Sequence, residues 1–328
     1  MAAVTTPARA FWIVAPGRGE VRDEQVPAPG ECEVRVRTLT SGVSAGTERL
    51  VFTGGVPPSQ YDLMRAPFQA GDFPGPVKYG YAAVGTVEAG PAERLGERVF
   101  CLHPHQSAFV VPAAAAVPVP PTVPDQRAAL AANMETALNA VWDAAPVPGE
   151  RIAVVGAGVV GLLTAHLLTR FGFAPVLVDV DAGRATTAAA LGVAFAEPDA
   201  VAGPFELVVH ASGSPAGLVW ALERLGFEGR VVELSWYGDR EVTLPLGAAF
   251  HSRRLKLLSS QVGAIAAPVR GRIDHRGRLA RALALLDDDR LDVLVRETVA
   301  LERLPGFLSA LAGGGHRVLC ARVTYDDT

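Results

Sequence analysis

Lysine is almost absent from this chain of 328 residues, since Lys78 and Lys256 are the two that it contains. Nearly all of the positive charge is therefore carried by arginine, and the arginines are scattered along the chain. The formal net charge is −4, from 30 basic and 34 acidic residues. This balance gives no electrostatic reason to bind nucleic acid or an anionic membrane, and we expect neither as a partner.

Cysteine is scarce as well, and long apolar runs are missing. Cys32, Cys101 and Cys320 are odd in number and far apart, which argues against a disulfide framework and is typical of a reducing compartment. The longest apolar run, 152–163, is too short and too rich in glycine to span a bilayer. The N-terminal residues 1–9 lack the pattern of a signal peptide. We therefore expect a soluble, cytoplasmic protein.

The pattern of predicted secondary structure changes near residue 125. Before it, short strands such as 31–38, whose residues alternate in polarity, are separated by turns that contain glycine and proline. After it, apolar strands alternate with helices, which predicts a parallel sheet covered on both faces. The predicted strands are 151–155, 176–180, 207–210 and 230–234, and the predicted helices are 125–145, 159–171, 182–191 and 216–225.

The C-terminal part returns to mixed structure, with a helix predicted at 278–286 and then strand, helix and strand within 294–325. We expect this part to fold back onto the first domain. The predicted fold class is α/β, with a discontinuous β-rich domain of residues 1–130 and 268–328. The second domain, residues 131–267, is predicted to be a doubly wound dinucleotide-binding domain.

A glycine motif of the dinucleotide-binding type lies at the start of the alternating region. Gly156, Gly158 and Gly161 form a GxGxxG pattern that follows an apolar strand and opens a helix. The first glycine permits a tight turn, the second lets a pyrophosphate approach the backbone, and the third lets the helix pack on the sheet. The N–H groups of the first helical turn, at Val159 and Val160, are predicted to bind the phosphates.

Asp179 lies at the end of the next predicted strand, close to the expected spacing after the motif. Its carboxylate can accept hydrogen bonds from both adenosine ribose hydroxyls and would repel a 2′-phosphate. Asp181 reinforces this preference, and no arginine follows Asp179 directly. We therefore expect NAD(H) to be favoured over NADP(H).

Other polar residues follow the later strands of the same sheet. Ser212 comes after the strand 207–210, and Ser235 ends the next strand, at the carboxyl edge where ligands bind in such sheets. Arg253 is predicted to reach the pyrophosphate, and the alternative is that it forms a surface basic pair with Arg254.

Four short segments carry a family resemblance: SGVS at 41–44, FPGPVKYGY at 73–81, GERV at 96–99 and GRVV at 229–232. With the order of the domains, they resemble the medium-chain dehydrogenase/reductase superfamily, which contains the zinc alcohol dehydrogenases and the quinone reductases. The run SGVSAGTER at 41–49 is similar to a subgroup that includes bacteriochlorophyllide a dehydrogenase. The resemblance implies a GroES-like catalytic domain, a Rossmann domain and a homodimer formed through the last Rossmann strand. It also implies that Gln261 lies beside the nicotinamide.

The zinc ligands of that superfamily are not retained. The resemblance aligns the first cysteine ligand with Ser44, the histidine with Tyr81 and the third ligand with Ala132, and the four-cysteine structural lobe is missing. Serine and tyrosine are poor zinc ligands, and a catalytic zinc needs three good donors. We therefore predict a zinc-free member. The alternative is a rebuilt metal site whose ligands come from Glu48, Glu135, His103 and His105.

Without zinc, hydride transfer needs another group to polarise a carbonyl and to move a proton. Tyr81 replaces a ligand at the floor of the pocket and is the first candidate acid/base. His103 and His105 are the next candidates, because an imidazole titrates near neutral pH. The resemblance makes Ser44 and Thr47 candidates for relaying a proton to the cofactor ribose.

A long apolar loop, 54–73, is suited to cover a large or aromatic substrate, since it contains Tyr61, Met64, Phe68 and Phe73.

The leading hypothesis is a zinc-independent, NAD(H)-dependent oxidoreductase that acts on a small-molecule alcohol or carbonyl. One alternative is an enoyl or quinone reductase that acts on an activated C=C bond. A second is a non-catalytic dinucleotide-binding sensor or scaffold.

Overall fold

A computed structural model of the chain describes residues 5–314 and 318–325. Residues 1–4, part of the stretch considered above for a signal peptide, and 315–317, within the predicted C-terminal segment, lie outside the described residues. The chain forms two units, Met1–Ala132 with Leu279–Thr328, and Asn133–Arg278. Over the residues that the structure describes, no helix combines the length and the apolar character needed to cross a membrane.

The first part of the chain is rich in strands. They are β1 (Thr5–Ala15), β2 (Arg18–Pro27), β3 (Glu33–Ser44), β4 (Ala70–Gly71), β5 (Val77–Lys78), β6 (Ala83–Ala89), β7 (Arg98–Cys101), β8 (Ala108–Pro112) and β9 (Val117–Pro118). The helices that accompany and follow them are α1 (Ala45–Phe52), α2 (Asp125–Ala128) and α3 (Ala131–Ala144).

Strands and helices then alternate before the chain returns to the first unit. The alternating elements are β10 (Ile152–Val155), α4 (Val159–Arg170), β11 (Val176–Val178), α5 (Ala185–Ala190), β12 (Ala194–Ala196), β13 (Phe205–His210), α6 (Pro215–Arg224), β14 (Leu225–Glu233) and β15 (Lys256–Ser259). The returning elements are α7 (His275–Ala284), β16 (Glu297–Ala300), α8 (Leu304–Ala312) and β17 (Cys320–Thr324).

Strand β3 is the centre of the first unit. It belongs to a sheet with the order β16-β17-β3-β6-β7-β9, to which β8 is added by pairing with β3, while β2-β1-β5-β4 form a second sheet. Val34 and Val36 of β3 are fully buried in the core, as the alternating pattern of this strand requires. The last four residues of β3 are all buried, and Ser44 at its end pairs with Cys320 of β17. The end of β3 therefore lies inside the unit.

The second unit contains a six-stranded sheet with the order β12-β11-β10-β13-β14-β15, in which all neighbouring strands are parallel. This arrangement confirms the predicted doubly wound sheet. The order of the strands reverses between β10 and β13, and ligands bind outside the carboxyl ends of the strands at such a point. The strands of this sheet contribute apolar side chains to the core, among them the fully buried Ala153, Val208 and Val231.

Two elements differ from the prediction. The helix predicted over 125–145 is interrupted between α2 and α3, where β3 passes close by: a Cβ atom on Gly42 would lie 2.6 Å from the carbonyl oxygen of Ala129. The hairpin of β1 and β2 goes beyond the prediction, because Val26 is the one buried residue of β2 and the alternation of polarity along this strand is weak.

Candidate active site

Three of the predicted catalytic residues meet in the first unit. Ser44 ends β3 and caps α1, Thr47 lies in the first turn of α1, and Tyr81 lies just before β6. The side chains of Ser44 and Thr47 both form hydrogen bonds with the Tyr81 phenol. The structure therefore brings Ser44, Thr47 and Tyr81 together in one group, the hydroxyl cluster.

The phenol of Tyr81 is held in its protonated form. Burial raises its pKa above the usual value, and the nearby Glu48 carboxylate raises it further. The hydrogen bonds from Ser44 and Thr47 lower it again but do not reverse the shift. At neutral pH Tyr81 is therefore a hydrogen-bond and proton donor rather than a base.

Glu48 and His105 form a buried pair beside the hydroxyl cluster. His105 is fully buried, Glu48 is 3% exposed, and the imidazole Nε2 lies 2.8 Å from Glu48 Oε2. The other carboxylate oxygen, Oε1, accepts the backbone N–H of Ser44 at 2.9 Å. Glu48 thus holds the backbone of Ser44 directly, which fixes the start of α1 and with it the hydroxyl cluster.

The network continues from the other nitrogen of His105. Its Nδ1 lies 2.7 Å from Ser41 Oγ, and that oxygen lies 2.7 Å from the phenol oxygen of Tyr325. Because the Glu48 carboxylate can only accept, the ring donates to it from Nε2, and in the tautomer with its hydrogen on Nε2 the Nδ1 atom accepts from Ser41. Gly80 makes room for this ring, since a Cβ atom there would lie 2.9 Å from His105 Cδ2.

Several acidic protons surround the Glu48 carboxylate. Besides Tyr81, burial raises the pKa of Tyr79 and of Tyr325, and the charge of Glu48 raises both further. The same two causes, burial first, raise the pKa of the Cys320 thiol to about 12. The Glu48 side chain is therefore surrounded by phenol and thiol groups that keep their protons at neutral pH.

His103 does not occupy the position of an acid/base. Its ring stacks on Phe109 at 3.8 Å between centroids and faces Phe68 at 5.8 Å, and its Nδ1 lies 2.9 Å from the carbonyl oxygen of Pro104. Burial lowers its pKa to about 3, so the ring is neutral over the physiological range. Of the two histidines, His105 rather than His103 makes the hydrogen bonds of the site.

The long loop 54–73 reaches this site through aromatic contacts. Tyr61 packs against Phe73, Phe73 against Tyr79 and Tyr79 against Tyr81, with centroid distances of 5.8, 5.8 and 6.0 Å. Phe68 of the same loop is 39% exposed and contacts His103. A continuous aromatic wall therefore leads from the loop to the hydroxyl cluster.

The residues at the aligned zinc-ligand positions do not fit a zinc ion. The hydroxyl groups of Ser44 and Tyr81 are hydrogen-bonded to each other, and the methyl side chain of Ala132 offers no ligand atom. Within residues 5–314 and 318–325, three or more His, Cys, Asp or Glu side chains do not come together in a group able to hold a metal. Of the residues considered for a rebuilt site, Glu48 is paired with His105.

Glu135, the remaining candidate for a rebuilt site, belongs to the second unit and has a different partner. Its carboxylate accepts from Nε of the buried Arg278 at 2.9 Å. Burial raises the pKa of Glu135, and the charge and hydrogen bond of Arg278 oppose the rise. Arg278 also donates to Asn139 Oδ1 at 2.6 Å, so this cluster holds α3 to the start of α7.

The glycine turn of the second unit fits a dinucleotide. Gly156 has a φ of 105°, and a Cβ atom on it would lie 2.6 Å from the Cα atom of Ser212. A Cβ atom on Gly161 would lie 1.9 Å from the carbonyl oxygen of Gly156. Gly158, in contrast, faces open space and caps α4, so a pyrophosphate can approach the first-turn N–H groups of Val159 and Val160.

Asp179 directly follows β11 and contacts this turn. One carboxylate oxygen accepts the N–H of Ala157 at 2.6 Å, and the other accepts the N–H of Asp181 at 2.8 Å. Each oxygen keeps a second lone pair that can accept from a ribose hydroxyl. Asp179 is therefore both an anchor for the glycine turn and a possible ribose ligand.

Ser212, Ser235 and Gln261 all follow strands at the carboxyl edge of the sheet, after β13, β14 and β15. Arg253 does not lie at that edge, and the predicted contact with the pyrophosphate is wrong. It precedes β15, and its guanidinium donates to the carbonyl oxygens of Glu223 and Leu225, beside the amino-terminal end of β14. Since parallel strands begin at one edge and end at the other, a residue before β15 is separated from the glycine turn by the length of the strand. Arg254 forms an exposed pair with Glu228.

Comparison with known proteins adds relatives by sequence. No protein-family model matches the chain. The 2-desacetyl-2-hydroxyethyl bacteriochlorophyllide A dehydrogenase of Cereibacter sphaeroides is 30% identical over 257 residues, which are 70% of this chain and 74% of that protein. A zinc-type alcohol dehydrogenase-like protein of Haemophilus influenzae is 25% identical over 208 residues, which are 59% of this chain and 57% of that protein. The chain thus matches little more than half of the Haemophilus relative.

Solved structures share the fold over nearly the whole chain. A short chain alcohol dehydrogenase from E. coli CFT073, complexed with NADH, has a TM-score of 0.76 at 16% identity and covers 97% of this chain and 99% of its own. A zinc-binding dehydrogenase from Sinorhizobium meliloti, bound to NADP, has a TM-score of 0.76 at 20% identity with the same coverage. The fold is therefore that of the alcohol dehydrogenases. The chain belongs to the medium-chain dehydrogenase/reductase superfamily of alcohol dehydrogenase-like oxidoreductases, as a relative of the bacteriochlorophyllide dehydrogenases.

The stacked His103 predicts how stability depends on pH. The pKa of His103 is lower in the folded protein than its value of about 6.5 in the unfolded chain, so the neutral ring favours folding. This contribution to the free energy of unfolding is complete above about pH 6.5 and is lost as the pH falls from there toward the folded-state pKa. At pH 5 the loss is about 2 kcal/mol. In His103→Phe, which keeps an aromatic ring but cannot titrate, we expect the free energy of unfolding to fall less between pH 7 and pH 5. Chemical denaturation at both pH values measures this, and equal losses in both proteins would contradict the assignment.

Proposed function

We propose that this protein is a zinc-independent oxidoreductase that transfers hydride between NAD(H) and an alcohol or carbonyl substrate. The observation that carries the proposal is the hydroxyl cluster of Ser44, Thr47 and Tyr81, at positions that the family resemblance aligns with zinc ligands. The glycine turn and Asp179 support the nicotinamide cofactor. Membership in a family of oxidoreductases favours an enzyme over the sensor or scaffold.

Tyr81 is the proposed proton donor. A nicotinamide cofactor supplies or accepts the hydride when it is bound. In carbonyl reduction, negative charge develops on the substrate oxygen, and a protonated phenol can stabilise that charge and donate its proton. The raised pKa of Tyr81 makes it a poor base for alcohol oxidation, so the site is better suited to reduction. Ser44 and Thr47 orient the phenol and offer hydroxyls through which a proton can be replaced.

A second candidate function draws on the same raised pKa. Reduction of an activated C=C bond generates an enolate, whose oxygen needs a hydrogen-bond donor but no metal. Tyr81 can supply that donor in its protonated form. A substrate panel that contains both aromatic aldehydes and conjugated enones distinguishes the two functions by the bond that is reduced.

The proposed substrate is large or aromatic. The half-buried Tyr61 and Tyr81 offer ring surface at the two ends of the aromatic wall, and the buried Phe73 and Tyr79 pack between them. In the loop 54–73, the exposed side chain of Phe68 adds a further apolar surface. One relative is named as a dehydrogenase of a bacteriochlorophyllide, which supports a bulky substrate for this chain as well.

The proposed cofactor preference is for NAD(H). The Asp179 carboxylate has a free lone pair on each oxygen for a ribose hydroxyl, and its charge opposes a 2′-phosphate. The nearby Arg184 is paired with Asp181, with its Nε 3.4 Å from a carboxylate oxygen, which partly neutralises the charge it could offer to that phosphate. Of the structural neighbours, one is described with NADH and another with NADP, so the preference rests on Asp179.

A homodimer is proposed to form through β15. This strand lies at the edge of the six-stranded sheet, and its four residues are exposed, including Leu257 and Leu258. An edge strand that presents apolar side chains is suited to pairing with a second copy. The three cysteines are free thiols, which supports a location in the reducing cytoplasm.

Removal of the Tyr81 hydroxyl tests the proposed proton donor. In Tyr81→Phe, turnover of a carbonyl substrate should fall on the order of a hundredfold, because the developing oxyanion loses its donor. The dissociation constant for NADH should stay unchanged. Tyr79→Phe is the matched control, because it removes a neighbouring buried phenol, and its turnover should stay near that of the wild type. Unchanged turnover in Tyr81→Phe would contradict the assignment.

Asp179→Ala tests the cofactor preference. The wild type should bind NADH more tightly than NADPH. In the variant the ratio of the two dissociation constants should change by at least about tenfold in favour of NADPH, because the hydrogen bonds from the ribose to a charged acceptor and the repulsion of the 2′-phosphate are both removed. Titration calorimetry with both cofactors measures the ratio. Asp199→Ala, at an exposed acid away from the glycine turn, serves as the control and should retain the wild-type ratio. Tighter binding of NADPH by the wild type would show that Asp179 does not set the preference.

The β15 edge gives a test of the dimer. Leu258→Glu places a charge on the exposed strand and should convert a dimer into a monomer, because a charge in the centre of an apolar interface is costly. Light scattering after size exclusion measures the mass. Leu95→Glu, at another exposed leucine, should remain dimeric. A monomeric wild type at micromolar concentration would refute the proposed interface.

A further inference from the structure

A second histidine–carboxylate pair, with a buried histidine and a partly buried carboxylate, lies at the carboxyl edge of the six-stranded sheet. His210 is the last residue of β13, Glu233 is the last residue of β14, and the two are paired in register. The Nδ1 atom of His210 lies 2.7 Å from Glu233 Oε2, and its Nε2 atom lies 2.7 Å from the hydroxyl oxygen of Ser212. His210 is fully buried, whereas Ser212 is exposed.

The direction of these hydrogen bonds follows from the carboxylate. Glu233 can only accept, so His210 donates to it from Nδ1, and the tautomer with its hydrogen on Nδ1 presents a lone pair at Nε2. The Ser212 hydroxyl must then donate to Nε2. Its oxygen has two lone pairs, and one of them accepts the N–H of Ser214 at 3.1 Å. The remaining lone pair of Ser212 is available to a ligand that donates.

Ser212 stands beside the glycine turn, where the order of the strands reverses. The ideal Cβ position of Gly156 lies 2.6 Å from the Cα atom of Ser212, so the two backbones are in contact. Glu233 holds the neighbouring loop as well, because its Oε1 accepts the N–H of Ser235 at 2.7 Å. The Ser235 hydroxyl oxygen in turn accepts the N–H of Gly213 at 3.0 Å and lies 3.3 Å from His210 Nδ1. The pair therefore fixes both loops that follow β13 and β14.

We propose that His210 and Glu233 are positioning residues that make Ser212 a hydrogen-bond acceptor for a ribose hydroxyl of the bound dinucleotide. This inference rests on the proposed dinucleotide-dependent function. A ribose hydroxyl can donate to such an oxygen, whereas an ionised phosphate cannot. The pair thus selects which part of the cofactor Ser212 binds, without touching the cofactor itself.

Glu233→Gln is the variant that tests the direction of the hydrogen bonds with the least change in shape. In this variant the amide oxygen still accepts a hydrogen bond from the N–H of Ser235. The amide NH₂ group then faces His210 Nδ1 and the Tyr237 hydroxyl, which in the wild type lies 3.2 Å from the Glu233 carboxylate. The ring hydrogen is forced to Nε2 and is donated to Ser212, whose two lone pairs are then occupied. We expect the dissociation constant for NADH to rise about tenfold.

A double-mutant cycle shows whether the effect passes through Ser212. Titrations with NADH at one fixed pH compare the wild type, Glu233→Gln, Ser212→Ala and the double variant. Ser212→Ala alone should weaken binding about tenfold, and adding Glu233→Gln to it should change binding less than about twofold. Glu206→Gln, on an exposed part of β13, is the matched control and should bind as the wild type does. Thermal unfolding checks that each variant is folded.

The outcomes separate this inference from the proposed function. Unchanged affinity in Ser212→Ala, whose side chain is exposed and whose folding is not at risk, overturns the inference. So does a Glu233→Gln effect of the same size with and without the Ser212 hydroxyl, because the pair would then act by another route. A wild type that binds neither NADH nor NADPH contradicts the proposed function itself.

Discussion

The buried pair of Glu48 and His105 is the interaction on which the candidate active site depends. A carboxylate inside a protein is stable only when its oxygens are bonded, and here one oxygen meets His105 while the other holds the backbone N–H of Ser44. The pair thereby joins the end of β3 to the chain that follows β7. Loss of either partner would leave a buried group without its counterpart, at a cost of several kcal/mol.

The charge of Glu48 also sets the chemistry of its surroundings. A bound metal cation lowers the pKa of the groups around it, whereas this carboxylate raises the pKa of Tyr81, Tyr325 and Cys320. Burial acts in the same direction and is the larger cause. The site is therefore one of protonated donors, which fits stabilisation of a developing oxyanion better than removal of a proton from an alcohol.

The parts of this account that depend on local pattern could be predicted from the sequence. The glycines at 156, 158 and 161 and the acid at 179 stand in a fixed order with their strands and helix, and the structure places them together. Ser44, Thr47 and Tyr81 were found through a family pattern, and they meet in one cluster. The position of Arg253 could not be predicted in this way, because no local pattern marks the start of β15, and a residue before a parallel strand lies at the opposite edge.

The buried histidine–carboxylate pairs were beyond prediction for a different reason. Glu48, on α1, and His105, in the chain after β7, are 57 residues apart, so their contact depends on the packing of the whole unit. His210 and Glu233 are 23 residues apart, and their contact depends on the register of β13 and β14. Nothing in the local sequence distinguishes such a histidine from a solvated one. The sequence carries only the glycines that make room for these rings: a Cβ atom on Gly80 would lie 2.9 Å from His105, and one on Gly217 would lie 2.9 Å from His210.

A hydroxyl cluster held by Glu48 occupies the positions that the family resemblance aligns with zinc ligands, so the zinc content of the purified protein is the decisive measurement. The protein should be produced in zinc-supplemented medium, purified without chelators and measured by elemental analysis beside a matched Ser44→Cys variant. We expect far less than one zinc ion per chain in the wild type, because serine, tyrosine and alanine do not form a zinc-ligand set. One tightly bound zinc per chain in the wild type, lost in Tyr81→Phe, would contradict it.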